Sequence, residues 1–348
     1  MRGWYIDPAL VLTSSGLEQM RSFFDGGRLP PPIHYLTGLT FTAAGAGTAT
    51  FTMPVTDWLL APQGVVSGST LCLLVDGPLG SAVQSALPVA TPYTTAEMSI
   101  SFIRPVMPGS GLLTGTGTLV HAGRAAGLAE VRVTDERQRL IAVASTRCLI
   151  LPRLRATDDQ VPEAAAPGVE PEWPTPHPFQ RPARGEVLAT DVWRDMSGLE
   201  ILRAHISGAL PPPPISQLCG IRPVDASDGE TTWAMPASEW LCSPVRGRLY
   251  GGATAYLAGT ACDGAYESVV RRGTAFAPID LKVYFLRPVA PDGRDLVAIG
   301  KVMHRGRTLA VASSEVLDAD GKRVAVAIGS ALILPGRAPN LISPGEPP

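Results

Sequence analysis

The hydrophobic and polar positions of this 348-residue chain fall into two runs of one pattern. Near the start of each, a serine precedes a short amphipathic segment, Ser15-Gly16-Leu17-Glu18 and Ser197-Gly198-Leu199-Glu200. A serine there predicts a capped helix, stopped by the proline runs at 30–32 and 211–214. Segments 48–53 and 231–235 read as strands. From Gly68 to about Ser85 and from Gly251 to about Val269 the chain is uninterrupted enough for one longer helix each, the first kinked or ended by Pro78. Four β-rich stretches then close each run, at 97–104, 112–120, 128–134 and 139–151, and at 279–287, 295–303, 308–317 and 323–334. Hairpin turns are predicted at Arg137-Gln138 and Asp320-Gly321. One helix followed by a long antiparallel meander predicts an α+β layer in which the sheet wraps the helix.

The repetition extends to residue identity. The Ser-Gly-Leu-Glu segments are 182 positions apart, and MPVTDWL (53–59) returns as MPASEWL (235–241) at the same offset. After one insertion the offset is 183, with Phe102-Ile103-Arg104-Pro105-Val106 facing Phe285-Leu286-Arg287-Pro288-Val289. His121-Ala122-Gly123-Arg124 likewise faces His304-Arg305-Gly306-Arg307. So steady a register marks a duplicated domain. We read an N-terminal domain at 1–152, a linker at 153–185, a C-terminal domain at 186–336 and a tail at 337–348. The linker is rich in Pro and Ala without apolar period, which predicts an extended segment.

Composition narrows the function classes. The chain is 45% apolar and 17% charged, so it can bury a sizeable core. A net charge of −2 gives no electrostatic case for nucleic acid or anionic lipid as a partner. Five cysteines, an odd number without CxxC spacing, fit reduced thiols better than disulfides or zinc. No signal-peptide pattern and no run near the roughly 20 apolar residues of a membrane span is present, so a cytoplasmic location is expected. Metal-ligand spacing, a serine elbow and a dinucleotide fingerprint are also missing from the sequence, so no metal or cofactor is expected.

One acid stands out. Asp76 lies among Leu73, Leu74, Val75 and Leu79, where an ionised group is costly to bury. It is either a solvated residue or an acid facing a cleft. Its context is Ser67-Gly68-Ser69 at the helix start, Asp76 nine positions after Ser67, then Ile103-Arg104-Pro105 and His121 to Arg124. The second copy has Tyr250-Gly251-Gly252, Phe285 to Pro288 and His304 to Arg307. This order resembles the hotdog fold, specifically the phenylacetyl-CoA thioesterase-like branch of acyl-CoA thioesterases, whose helix opens with His-Gly-Gly. Ser67 and Tyr250 stand where that family has the His, and Ala61 where it has an Asn.

The resemblance implies two tandem hotdog domains, each an antiparallel sheet wrapped around a central helix, forming an intrachain pseudo-dimer. It implies hydrolysis of an acyl-CoA or acyl-carrier-protein thioester. It also implies sites built from the acid of one helix and a glycine amide at the start of the other. The first would join Asp76 to the amides of Gly251 and Gly252, with Thr94 at a strand position where relatives hold a hydroxyl. The second would pair Gly68 with Gly259, which occupies the acid's place, and so is expected to be degenerate and to lack a carboxylate. Tyr250, Arg104, Arg287, His121, Arg124, His304 and Arg307 are candidates for binding substrate, the basic ones through CoA phosphate. A carboxylate there can activate water or attack directly, and unpaired helix-start N–H groups can polarise the carbonyl. A homodimer of tandem chains is a further implication. Two other readings of the fold are a non-hydrolytic acyl-thioester or lipid binder and a hydratase or dehydratase.

Overall fold

Ser15 and Ser197 do cap helices, each in a full capping box. Their N–H groups donate to the carboxylates of Glu18 and Glu200 at 2.7 Å, while each serine hydroxyl accepts from the glutamate's N–H. The structure, a computed structural model, describes residues 2–6, 8–24, 29–154, 170 and 172–337. Residues 155–169 and 171 of the predicted linker and the tail beyond 337 lie outside the described residues.

The first half runs α1 (Pro8–Thr13), α2 (Gly16–Arg21), α3 (Pro32–Thr37), β1 (Thr40–Gly45), β2 (Thr48–Pro54), α4 (Cys72–Gln84), β3 (Tyr93–Phe102), β4 (Leu112–Ala122), β5 (Ala126–Thr134) and β6 (Leu140–Ile150). The second runs α5 (Thr190–Asp195), α6 (Gly198–Ser207), α7 (Pro214–Cys219), β7 (Arg222–Ser227), β8 (Glu230–Pro236), α8 (Gly251–Val269), β9 (Thr274–Phe285), β10 (Asp295–Arg305), β11 (Leu309–Leu317) and β12 (Arg323–Pro335). All strands join one antiparallel sheet in the order β1-β2-β4-β5-β6-β3-β9-β12-β11-β10-β8-β7. The seam is β3 against β9, where Ile100 faces Leu281, so the two copies share one continuous sheet.

Both long helices lie in the hollow of that sheet, because its inner positions are apolar or very small. A Cβ on Gly117 would sit 2.2 Å from the carbonyl oxygen of Pro78, and one on its counterpart Gly300 would sit 1.9 Å from that of Ala261. Glycine on β4 and β10 is therefore what lets each helix touch its sheet. The same closeness explains why Pro78 does not end α4. Gly115 and Gly117 leave room for its ring, and tertiary packing overrides the local break. The segment Gly68–Leu71 forms a 3₁₀ turn, and the α-helix proper begins at Cys72.

Two expectations change here. β3 and β9 begin at Tyr93 and Thr274, several residues earlier than the sequence pattern indicated. The end of the linker is extended but not free: Trp58 Nε1 donates to the carbonyl of Arg181 at 2.8 Å, and Arg2 Nη1 lies 2.8 Å from His177 Nδ1. The His177 ring also meets Tyr35 edge-on at 5.1 Å, so residues 175–181 are strapped onto the first half. All five cysteines are free and buried. Among the described residues no helix is long and apolar enough to cross a membrane, and no group of three His, Cys, Asp or Glu could hold a metal.

Candidate active site between the two central helices

The helices α4 and α8 cross antiparallel with their N-terminal halves overlapping. Gly252 packs against the carbonyl of Cys72, where a Cβ would come within 2.4 Å of the oxygen. This overlap carries Asp76 to the start of α8, and its Oδ2 accepts the N–H of Gly252 at 2.9 Å. The α8 N-cap residue, Tyr250, offers no side-chain acceptor, so an acid from the other half satisfies the helix start. Burial pushes the Asp76 carboxyl up to about 6, while hydrogen bonds from Gly252 and Gly251 pull it back toward the ionised form. Asp76 and Gly252, separated by 176 positions in sequence, are brought together, the pairing that the family resemblance implied.

Tyrosines wall this centre. The buried hydroxyl of Tyr250, which has no hydrogen-bond partner among the described residues, would lie 3.1 Å from a Cβ on Gly77. The Tyr93 hydroxyl would be equally close to a Cβ on Gly80. Burial first, and the charge of Asp76 among the later causes, raise both phenols above their ordinary range. Tyr93 escaped sequence reasoning, although it adjoins the singled-out Thr94. That threonine does not join the centre. Strand alternation exposes Thr94 opposite Leu149, whereas Thr95 is the one turned inward, toward the thiol of Cys148.

The second cleft is not as expected, because it does contain a carboxylate. Gly259 occupies the position matching Asp76, but a Cβ there would fall 2.7 Å from Ser69 Cβ and 2.9 Å from Leu281 Cδ2. The acid stands one helical turn further on, as Asp263, and Ser69 Oγ donates to its Oδ2 at 2.8 Å. Gly68 does not face Gly259 as a bare glycine pair; a Cβ on it would pack 3.2 Å from the ring of Phe102. Ser67 Oγ lies 3.0 Å from Ser69 Oγ and 2.8 Å from Thr70 Oγ1, so a short chain of hydroxyls leads to Asp263. Burial pushes Asp263 up to about 7, with the Ser69 hydrogen bond pulling the other way. A small cleft opens here, lined by Ser69, Phe102, Asp263, Tyr266, Asp280 and Leu281. The signal was available: Asp263 is an acid within an apolar helix, as Asp76 is.

The basic candidates lie elsewhere. Arg104 and Arg287 are exposed and donate across their strand ends to the carbonyls of Leu140 and Arg323, at 2.6 and 2.5 Å. His121 with Arg124, and His304 with Arg307, sit exposed at the β4–β5 and β10–β11 turns. Those turns lie by the C-terminal ends of the central helices, where Gly127 packs on Val83 and Arg305 donates to the carbonyl of Val269. From Asp76 to Val83 is roughly 10 Å of helix rise. The structure therefore does not gather them at the Asp76–Gly252 contact.

A family model described as the thioesterase superfamily matches residues 63–142 and 246–325, one stretch in each half. Each half of the chain thus matches the thioesterase superfamily over one stretch. The protein is accordingly a thioester hydrolase with its two thioesterase domains in tandem. Among solved structures, a conserved hotdog-fold protein from Alicyclobacillus acidocaldarius is 15% identical with a TM-score of 0.52, covering 87% of this chain and 97% of its own. Acyl-CoA thioesterase II TesB2 from Mycobacterium marinum is 11% identical with a TM-score of 0.50, covering 86% and 97%. The tesB protein of Mycobacterium avium subs paratuberculosis gives 12%, 0.50, 87% and 98%. These likenesses establish the tandem hotdog fold. Among curated proteins no sequence matches.

Proposed function

We propose that this thioesterase hydrolyses acyl-CoA thioesters at the contact between Asp76 and the start of α8. The observation that carries the reading is the 2.9 Å hydrogen bond from the Gly252 N–H to the Asp76 carboxylate across the two halves. A thioester carbonyl that takes the carboxylate's place on that N–H would be polarised by it and left beside a displaced acid. Acting as base toward water or as nucleophile, the acid needs the same placement, and one such donor is worth roughly 10²–10³ in rate. Tyr250 serves as the wall of the acyl site. The exposed Arg124 and Arg307 supply cations for CoA phosphates, with His121 and His304 beside them, which favours CoA over a carrier protein. The M. marinum neighbour, an acyl-CoA thioesterase, is consistent with that substrate class. The domain division at 1–152, 186–336 and the intervening linker belongs to the same reading.

Asp76→Asn is the discriminating variant, because asparagine still offers Gly252 an acceptor but carries no charge. A purely capping role would survive it. Since Asp263 lies in the neighbouring cleft, the change is read in an Asp263→Asn background against a panel of acyl-CoAs. We expect kcat to fall by about 10²–10⁴, the usual worth of a positioned acid or base. Wild type that hydrolyses none of the panel, or an Asp76→Asn change without effect, overturns the proposal.

A further inference from the structure

We propose that the Ser69–Asp263 cleft is a second thioester-hydrolysing centre, with Asp263 as general base toward water and Ser69 as its positioning residue. The inference rests on the hydrolase reading above and adds a centre that a comparison of matched positions had discounted. Three observations carry it. The Asp263 carboxyl is largely sheltered but still borders an open cleft, and Ser69 Oγ, from the opposite half of the chain, fixes it at 2.8 Å. The cleft beside it is about 10 Å³, the space of roughly one water molecule, which is the nucleophile such a base would hold. Tyr266, 1% exposed, also lines the cleft, and its buried hydroxyl has no hydrogen-bond partner among the described residues.

The chemistry balances without any further group. Asp263 takes a proton from water as the water oxygen bonds to the thioester carbon. Collapse of the resulting oxyanion breaks the carbon–sulfur bond, and the proton passes from Asp263 to the leaving thiolate. Acid and thiol are the products, and the carboxylate is regenerated. Ser69 touches none of the reacting atoms; it donates to the ionised carboxylate and holds it in one orientation. The groups facing Asp263 are Tyr256, Cys262, Tyr266 and Glu267 from its own helix, Ser69 and Cys72 from the first half, and Asp280 from β9. None is a cation, so nothing offsets the burial of its charge except Ser69.

The test uses the full chain as wild type, Asp76→Asn, Asp263→Asn and the double variant, assayed for acyl-CoA hydrolysis between pH 5 and 9. Asp76→Asn is expected to keep at least about 10²-fold more activity than the double variant. Its pH midpoint should lie nearer 7, against nearer 6 for Asp263→Asn. Ser69→Ala in the Asp76→Asn background should lower kcat and move the midpoint upward, since the ionised acid loses its donor. That shift is something a merely structural serine would not produce, and it carries the test if Asp263→Asn fails to fold. Asp76→Asn as inactive as the double variant, or no midpoint shift with Ser69→Ala, overturns the second centre and leaves the first intact. Wild type inactive on every acyl-CoA instead overturns the hydrolase reading on which both rest.

Discussion

Glu267 lies one turn beyond Asp263 on α8, buried, and no hydrogen bond or ion pair holds its carboxyl among the described residues. Burial first, and the neighbouring charge of Asp263 second, push it up from 4.5 to about 8. The matching position in the first half is neutral: Gln84, whose amide donates to Gln19 at 3.1 Å, while buried Ile201 replaces Gln19 in the second. Glu267→Gln therefore imitates a residue the architecture already accepts. The sign follows from proton linkage. Below pH 4.5 both folded and unfolded chains hold the proton, and the variant gains nothing. Between 4.5 and about 8 the unfolded chain ionises while the folded one does not, so wild type loses about 1.4 kcal/mol per pH unit relative to glutamine. At pH 7 that amounts to roughly 3 kcal/mol, reaching about 5 kcal/mol above pH 8; relaxation around the charge reduces both. Protonated glutamic acid and glutamine bury comparable polar groups, so ionisation dominates the difference. Urea unfolding at pH 5, 7 and 9 should show the variant gaining stability with pH, by about 2–3 kcal/mol at pH 7. Equal stabilities at pH 7 and 9 would refute the claim that the fold keeps Glu267 protonated.

Two further outcomes follow from the same geometry. In an Asp263→Asn background, hydrolysis should require the ionised form of Asp76, rising with pH through about 6 and levelling above it, as kcat profiles will show; a flat profile across that range counts against Asp76 as the acting acid. Gly259→Ala should cost about 1–3 kcal/mol in denaturant unfolding, the usual penalty of overpacking, since its Cβ meets Ser69 at 2.7 Å and Leu281 at 2.9 Å. An unchanged midpoint would mean that the helix crossing is looser than these contacts indicate.

Much of this architecture was legible because the chain states it twice. The offset of 183 aligns Asp76 with Gly259, the family resemblance implies that Asp76 meets the Gly251-Gly252 pair, and the contact with Gly252 exists. What escaped was set by tertiary packing. Pro78 reads as a helix stop, yet glycines on β4 make room for it. Edge strands β1 and β7 are short and half exposed, so their alternation is faint in the sequence. Thr94 and Thr95 cannot be ranked by type, because which one turns inward depends on register, and the bulge between Thr95 and Glu97 alters that register. The strapped linker follows from Trp58 finding the carbonyl of Arg181, a pairing that no local pattern encodes.

The missed acid has a more specific cause. The positions that meet the start of the partner helix are 76 on α4 and 259 and 263 on α8, and the match of 263 on α4 is Gly80. Each helix carries one aspartate and one glycine there, in opposite order. The side chains across the gap account for the exchange. Asp76 faces Gly251 and Gly252, which have no side chains, so it reaches a backbone N–H directly. Gly259 faces Ser69, whose Cβ fills the space an acid would need, while the Ser69 hydroxyl still requires an acceptor. An acid one turn later meets that requirement. In the first half the corresponding place at Gly80 is closed by the Tyr93 hydroxyl, and the counterpart of Tyr93 in the second half is Phe276, which has none. The two centres thus differ in donor as well as position. The Gly252 amide, with that of Gly251 adding to it, favours the charged form of Asp76, while one hydroxyl binds Asp263, so the first acid is held nearer to the ionised form, at about 6 against about 7. A position-by-position comparison of the copies registers only the glycine at 259. The opposing residues, Ser69 against Gly252, are what show that the acid has moved and not been lost.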